Sequence, residues 1–387
     1  MDFRDSPEEA AFRTELRAWL EDKMPSEDGL SPSNTRWNES VSREWSKKLF
    51  DAGYAGLTWP QEYGGSAAPY THQAIFLEET ARAESPEHIG VIGLGMAGPT
   101  IIAHGTPEQK ERHLSRILSG EEVWCQGFSE PGSGSDLASL RTRAVPDGDD
   151  FVVNGQKVWS SFAHIADYCI LVARTDPDAA KHAGITYFLV DMHSPGIEVR
   201  PLRQITGDPE FNEIFFTDVR VPRDNVVDKV NNGWQVAMTT LLHERGTLGF
   251  ALTARLEVAT RKLIALAKEK GAADDPMVRD AVAKQWIDLQ ALKFTNYRAL
   301  TTLMKTGVPG PEGSVAKLHW SESNQRLTKL ALSILGPRAQ LNDGDGESVG
   351  YWQYQQLRSR GNTIEAGTSE ILRNIIAERV LGLPRSR

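Results

Sequence analysis

Two cysteines in 387 residues, Cys125 and Cys169, leave no disulfide framework and no Cys-x-x-Cys metal spacing, which fits a reducing compartment. No apolar run approaches the ~20 residues of a membrane span. The opening Met1-Asp-Phe-Arg-Asp5 has no apolar signal core, so a cytoplasmic protein is expected. Lys/Arg clusters are also missing, and the net charge of −9 argues against a nucleic-acid partner while leaving room for a local basic pocket. Internal repeats and low-complexity tracts are absent. What is present is ordinary globular composition, in a chain long enough for two or three domains.

The first third reads as helical. Ser6-Pro-Glu-Glu9 combines an N-cap, a proline at the first helical position and a capping box, and Phe12, Leu16, Trp19 and Leu20 then share one face. A second amphipathic segment carries Trp45, Leu49 and Phe50, a third runs over residues 71–83, and Thr106-Pro-Glu-Gln109 repeats the capping signal before a helix ending at Gly120. Gly93-Leu-Gly-Met-Ala-Gly98 satisfies a dinucleotide-loop pattern but lacks the strand before it and the βαβ surroundings, so close helix packing is expected there.

From Val123 to about Val230 the hydrophobic period changes to two. Short runs at 151–153, 158–159, 168–173, 185–190, 197–202 and 214–216 are separated by Pro146-Asp-Gly-Asp149, Asn154-Gly155, Asp176-Pro177 and Ser194-Pro-Gly196. Strands this short without intervening helices imply an antiparallel sandwich or barrel. After Gly233 helical spacing returns: one long helix over 234–268, another carrying Val282, Trp286, Leu289 and Leu292, one over 315–335 and a last one from about Thr368. The expectation is an α+β protein with three domains: a helical one over 1–121, a β domain over 122–231 and a helical one over 232–387.

The centre of the chain is Phe128-Ser-Glu-Pro-Gly-Ser-Gly-Ser-Asp136 followed by Asn154-Gly-Gln-Lys-Val-Trp-Ser-Ser161. The first run is a turn in which glycines let backbone N–H groups approach a ligand and serines add hydroxyl donors. The second predicts a hairpin turning at Asn154-Gly155, with Trp159 beside two hydroxyl residues. A flat aromatic next to short donors suits a flat hydrogen-bonding heterocycle such as a flavin.

Together these runs resemble the flavin-binding signature of the acyl-CoA dehydrogenase family. The likeness extends over Gly53-Tyr-Ala-Gly-Leu-Thr-Trp-Pro-Gln-Glu-Tyr-Gly-Gly65, Asp218-Val-Arg-Val-Pro222 and Gly361-Asn-Thr-Ile-Glu-Ala-Gly-Thr-Ser-Glu-Ile371. The resemblance implies the helical–β–helical architecture with an antiparallel middle domain and a C-terminal helical bundle. It also implies bound FAD and α,β-dehydrogenation of an acyl-CoA thioester, as in β-oxidation, with an electron-transferring flavoprotein as acceptor. That chemistry needs a carboxylate near the α-carbon and donors on the thioester oxygen.

The base departs from the commonest pattern. Ala366 stands where many members carry the carboxylate of a Glu-Gly-Thr run, and Glu365 comes one residue early, pointing the other way in extended chain. A subset, including isovaleryl and long-chain enzymes, places the base in a Glu-Arg pair on the long C-terminal-domain helix. Leu242-His-Glu-Arg-Gly-Thr-Leu248 matches that place and makes Glu244 the candidate base, its apolar neighbours raising its pKa toward a useful value.

The resemblance further implies a thioester-polarising role for the Ala366 N–H, with Gly367 and Thr368 on the flavin side of the same turn. Phe128 and Ser129 would meet the pyrimidine edge, Trp159 the ring and Ser161 the N5 region. Ser135 would lie near the pyrophosphate or the CoA moiety. Glu365 and Arg245 are candidate substrate contacts, Arg245 equally readable as half of a structural ion pair. Gly246 and Gly249 are read as close packing, with room for a bulky acyl chain as the rival.

Two motifs at the adenosine end of FAD are altered. Lys268-Glu-Lys-Gly-Ala-Ala-Asp274 replaces an Arg-x-x-Phe-Gly run, and Gly336-Pro337 replaces a Gly-Gly pair, which brings Arg338 or Arg279, or a different partner chain, into consideration. The resemblance implies a homotetramer or, given these altered motifs, a mixed tetramer with a related subunit. Two alternatives stay open: a flavin monooxygenase or nitroalkane-oxidase relative, and a non-catalytic subunit completing a partner's FAD site.

Overall fold

The computed structural model describes residues 4–25, 38–245, 248–307, 310–341 and 350–385; the side chains of residues 244, 245 and 248 also fall outside the description. In chain order the elements are α1 (Pro7–Lys23), α2 (Glu39–Asp51), α3 (Tyr70–Arg82), α4 (Gly98–His104), α5 (Pro107–Ser119), β1 (Trp124–Gly127), β2 (Arg143–Asp147) and β3 (Asp150–Ser161). Next come β4 (Tyr168–Arg174), β5 (Ile185–Asp191), β6 (Ile197–Leu202), β7 (Phe211–Pro222), α6 (Gly233–Arg245) and α7 (Leu248–Glu269). The last four are α8 (Pro276–Thr306), α9 (Glu312–Leu335), α10 (Tyr351–Asn362) and α11 (Ser369–Ile375). Helices, then strands, then helices is the expected α+β order.

Both capping boxes form as read. Ser6 Oγ accepts from Glu9 N and Glu9 returns a bond to Ser6 N, and Thr106 and Gln109 repeat the exchange. One expectation fails. Asn154-Gly155 does not turn the chain. The hairpin turns at 147–150, where Asp147 pairs with Asp150, and β3 runs on through Asn154 with a register shift against β7. Asn154 exchanges side-chain bonds with Asp218 across that bulge, and a Cβ on Gly155 would sit 2.4 Å from Thr142 Oγ1, so close approach, not turning, selects glycine there. The span expected as one long helix, 234–268, is helical over α6 and α7, on either side of residues 246 and 247, which lie outside the description.

The chain forms two compact units, Met1–Val41 with Ala68–Pro86 and Arg245–Arg387, and Ser42–Ala67 with Glu87–Glu244. The second holds one seven-stranded sheet in the order β1-β4-β2-β3-β7-β6, with β5 also pairing β4. Pairing is antiparallel except where β4 runs parallel to β1 and to the start of β2. Alternation sorts its side chains into two cores. Trp124, Ile170, Val172, Tyr187 and Leu189 pack on Ile101, Leu114, Ile117 and Val236 of the helices, while Leu171, Phe188 and Val190 pack on Phe151, Val153, Ile214 and Val219. This double burial explains why β4 and β5 read as continuous apolar runs.

The Gly93–Gly98 stretch is helical, and a Cβ on Gly98 would lie 2.1 Å from the Trp59 ring. It is a packing contact, as expected. In the first unit, α7–α10 pack through Leu256, Leu263, Leu289, Leu292, Leu327, Ala331 and Trp352. There α1 is tied to α3 by Arg13, which donates to Glu78 and Glu79.

Candidate functional site

In the second unit, β1 delivers the chain into the loop 128–136. Phe128 buries its ring edge-on against Tyr187, with centroids 6.0 Å apart. Glu130 and Ser133 then exchange backbone bonds of 2.8 and 3.0 Å, closing a tight turn around Pro131 and Gly132. Nothing comes within 4 Å of a Cβ built on Gly132 or Gly134, and Ser135 is exposed, so this turn is an open rim.

Beneath the rim lies a buried ion pair that sequence reasoning missed. Lys157 is fully buried, and its ammonium donates to Phe128 O and Glu130 Oε1, each at 2.9 Å. Glu130 also accepts from the N–H groups of Arg141 and Thr142 at 2.7 and 2.8 Å. Burial alone would push the Glu130 carboxyl up, but Lys157 and the backbone donors hold it below the usual carboxylate range. Burial pulls the Lys157 ammonium down against the opposing pull of Glu130. The only sequence signal was a lysine at an inward position of a period-two strand, which would normally be apolar.

Two residues on, Trp159 takes φ +62° inside a bulge of β3 and is 62% exposed. A left-handed bulky residue is an outlier costing roughly 1–3 kcal/mol, of the kind that clusters at ligand sites. The bulge has thrown the indole outward, where it meets the Phe211 ring edge-on. Under it, Ser160 Oγ and Asn212 Oδ1 are buried without a partner among the described residues, although Asn212 Nδ2 donates to Ser160 O. Val158 N donates to Ser129 O at 2.9 Å, joining the rim to the strand. Ser161, next after the bulge, is half-buried. An exposed flat aromatic and an open rim of serines and glycines together fit a flat polar ring such as a flavin.

The first unit holds the other candidate residues. After α10 the chain turns through Thr363–Thr368, with Ile364 N and Glu365 N both donating to Gly361 O. Ala366 and Gly367 take φ +50° and +96°. The Ala366 N–H meets no acceptor among the described residues. Glu365 is tied down: Arg358 donates to both of its oxygens at 2.9 and 3.3 Å, and Asn362 Nδ2 donates at 2.8 Å. Lys317 of α9, also missed by sequence reasoning, donates to Asn362 O and Gly367 O, each at 2.8 Å. Thr368 caps α11 by accepting from Ile371 N.

Arg338 is exposed on a turn after α9, its carbonyl taken by Gln353 Nε2. Arg279 is exposed near the start of α8. The Glu244 and Arg245 backbones close α6, while their side chains fall outside the described residues. Gly249 fits the packing reading, since a Cβ there would lie 2.5 Å from Asn296 Oδ1. No group of three or more His, Cys, Asp or Glu side chains among the described residues is placed to hold a metal, and no described helix is long and apolar enough to cross a membrane.

Comparison with known proteins agrees with this layout. Residues 6–121, 125–219 and 231–381 match the N-terminal, middle and C-terminal domains of acyl-CoA dehydrogenase. The chain is 44% identical over 383 residues to acyl-CoA dehydrogenase IpdE1 of Mycobacterium tuberculosis, covering 97% of each chain. Among solved structures it superimposes on the Tcur3481–Tcur3483 steroid ACAD with a TM-score of 0.90 at 32% identity, covering 100% of each chain. The ChsE4–ChsE5 complex of Mycobacterium tuberculosis gives 0.87 at 34% identity, again covering 100% of each. From its first helix to its last, the chain belongs to the acyl-CoA dehydrogenase family, whose members are flavin-dependent oxidoreductases.

Proposed function

We propose that this protein desaturates an acyl-CoA thioester between its α- and β-carbons, with Glu244 as the base. The observation that carries this is Glu365: the carboxylate nearest the usual position in the turn is spent on Arg358 and Asn362, which leaves the α6 terminus to supply the base. Glu244 takes the α-proton. The Ala366 N–H, presented by its left-handed turn, bonds the thioester oxygen and holds the charge that develops there. FAD, when bound, supplies the acceptor for the β-hydrogen. Ser129, Ser161 and the Phe128–Ser129 backbone would hold its ring edge and Trp159 its face, and Gly367, Thr368 and Ser135 are the residues proposed for its phosphates or the CoA moiety. Arg245 orients the substrate.

Two finer assignments belong to the same proposal. A steroid-derived acyl-CoA is the first substrate class to test, since a structure at 32% identity is titled a steroid ACAD. A mixed tetramer with a related second chain is favoured over a homotetramer. The structures titled as two-component assemblies and the altered 268–274 and 336–337 motifs both support it, with Arg338 or the partner chain at the adenosine end. We assign the three domains to 1–121, 122–231 and 232–387, and an electron-transferring flavoprotein as the acceptor.

The test is anaerobic bleaching of the bound flavin by a panel of short, branched and steroid-derived thioesters. Bleaching by a thioester that Glu244→Gln abolishes and Glu365→Gln leaves intact is the expected result. The reverse pattern would sink the base assignment. Bleaching by NAD(P)H alone would sink dehydrogenation in favour of a monooxygenase.

A further inference from the structure

We infer that Lys157 is a positioning residue that sets the reduction potential of the bound flavin through the Phe128–Ser129 peptide. The inference rests on the flavin lying against Ser129 and Trp159, as proposed above. The Lys157 ammonium sits on the Phe128 carbonyl oxygen at 2.9 Å. That oxygen and the Ser129 N–H are the two ends of one peptide unit. A cation on the oxygen draws electron density from the nitrogen and makes its N–H a stronger donor, the cooperative effect expected in a low-dielectric surround.

The Ser129 N–H is available to use that strength. It meets no acceptor among the described residues, and Ser129 is half-buried at the rim. The peptide is also held in orientation. Ser129 O takes the Val158 N–H at 2.9 Å, and Glu130, next along, is fixed by Arg141 N, Thr142 N and Lys157 itself. Two-electron reduction of a flavin places negative charge on the pyrimidine side of its ring. A sharpened donor there binds the reduced form more than the oxidised one, which moves the potential in the positive direction.

A purely structural role predicts something different. Exchanging a buried ion pair for neutral groups of similar volume is often tolerated. The variant Glu130→Gln/Lys157→Met removes one charge of each sign, so the long-range field nearly cancels and the lost donor on Phe128 O remains. The flavin-loaded variant is expected to keep its flavin and to titrate at a more negative midpoint potential than wild type. An unchanged or more positive potential overturns the inference. If the double variant does not fold, Glu130→Gln/Lys157→Gln decides: a neutral amide replaces the ammonium at Phe128 O, again with no change in net charge, and the potential moves negative. No shift, or a positive one, overturns the inference. Wild-type protein that carries no flavin, or whose flavin spectrum is unaltered by Trp159→Ala, refutes the underlying placement instead. A flavin that responds to Trp159 but not to Lys157 refutes only the role of the lysine.

Discussion

His88 is expected to make this protein acid-labile well above the carboxylate range. The ring is buried between α5 and the chain after α3. Gly90 N donates to Nδ1 at 2.9 Å, and Nε2 lies 3.3 Å from Leu118 O. A neutral imidazole protonated on Nε2 satisfies both contacts. Protonating Nδ1 would set two donors face to face in a site without water-exposed relief. Burial accordingly drives the pKa from 6.5 down to about 4, the contact with Leu118 O opposing it only in part.

The sign follows from linkage: between these values the unfolded chain binds a proton that the folded chain refuses, so stability falls as pH falls from 6.5 toward 4. At about 1.4 kcal/mol per unit, the full window is worth roughly 3 kcal/mol, of which about 2 kcal/mol is lost by pH ~5. Urea unfolding at several pH values measures it directly, with His88→Gln as the control, because Gln can meet both Gly90 N and Leu118 O without titrating. The variant should lose most of the extra pH slope while other groups, common to both proteins, continue to contribute. Parallel stability curves for wild type and variant across this window would refute the reasoning.

Three further perturbations are decided by single contacts. Gly98→Ala places a methyl 2.1 Å from the Trp59 ring, and overpacking of that kind should lower stability by about 1–3 kcal/mol in denaturant titration, or more if the ring cannot move. Lys317→Met leaves the Asn362 and Gly367 carbonyls without their ammonium donor; a loss of about 2–4 kcal/mol is expected, with weakened thioester binding by titration of the flavin spectrum, and a change under about 1 kcal/mol would show the clamp to be dispensable. Glu365→Gln weakens the hold on Arg358, a half-exposed pair worth about 1 kcal/mol or less; steady-state assays should therefore show thioester turnover within a few-fold of wild type, and loss of turnover would make Glu365 the base.

The local grammar of this chain was legible without coordinates. Ser6–Glu9 and Thr106–Gln109 satisfy their own helix ends, so their meaning is contained in four residues. The change of pattern near Val123 marked the β domain because strands buried on one face, such as β7, alternate, while β4 and β5, buried on both, read as short continuous apolar runs. The rim 128–136 and Trp159 could be picked out because the two runs resemble, in order, a flavin-binding signature; a serine–glycine turn or a strand tryptophan by itself is common and would not have sufficed. Asn154-Gly155 misled for the converse reason: the pair fits both a two-residue turn and a bulge, and only Thr142 and Asp218, distant in sequence, select between them.

Sequence alone therefore determined the order of helices and strands, the family and the short runs on which the chemistry is proposed. Tertiary structure decided that Lys157 lies under Phe128 rather than facing solvent, that Trp159 is thrown outward by a left-handed bulge, and that Glu365 is committed to Arg358 and Asn362. Each of these is a contact or a strain set by residues brought together in space, and its energy comes from burial that no single stretch of chain can specify.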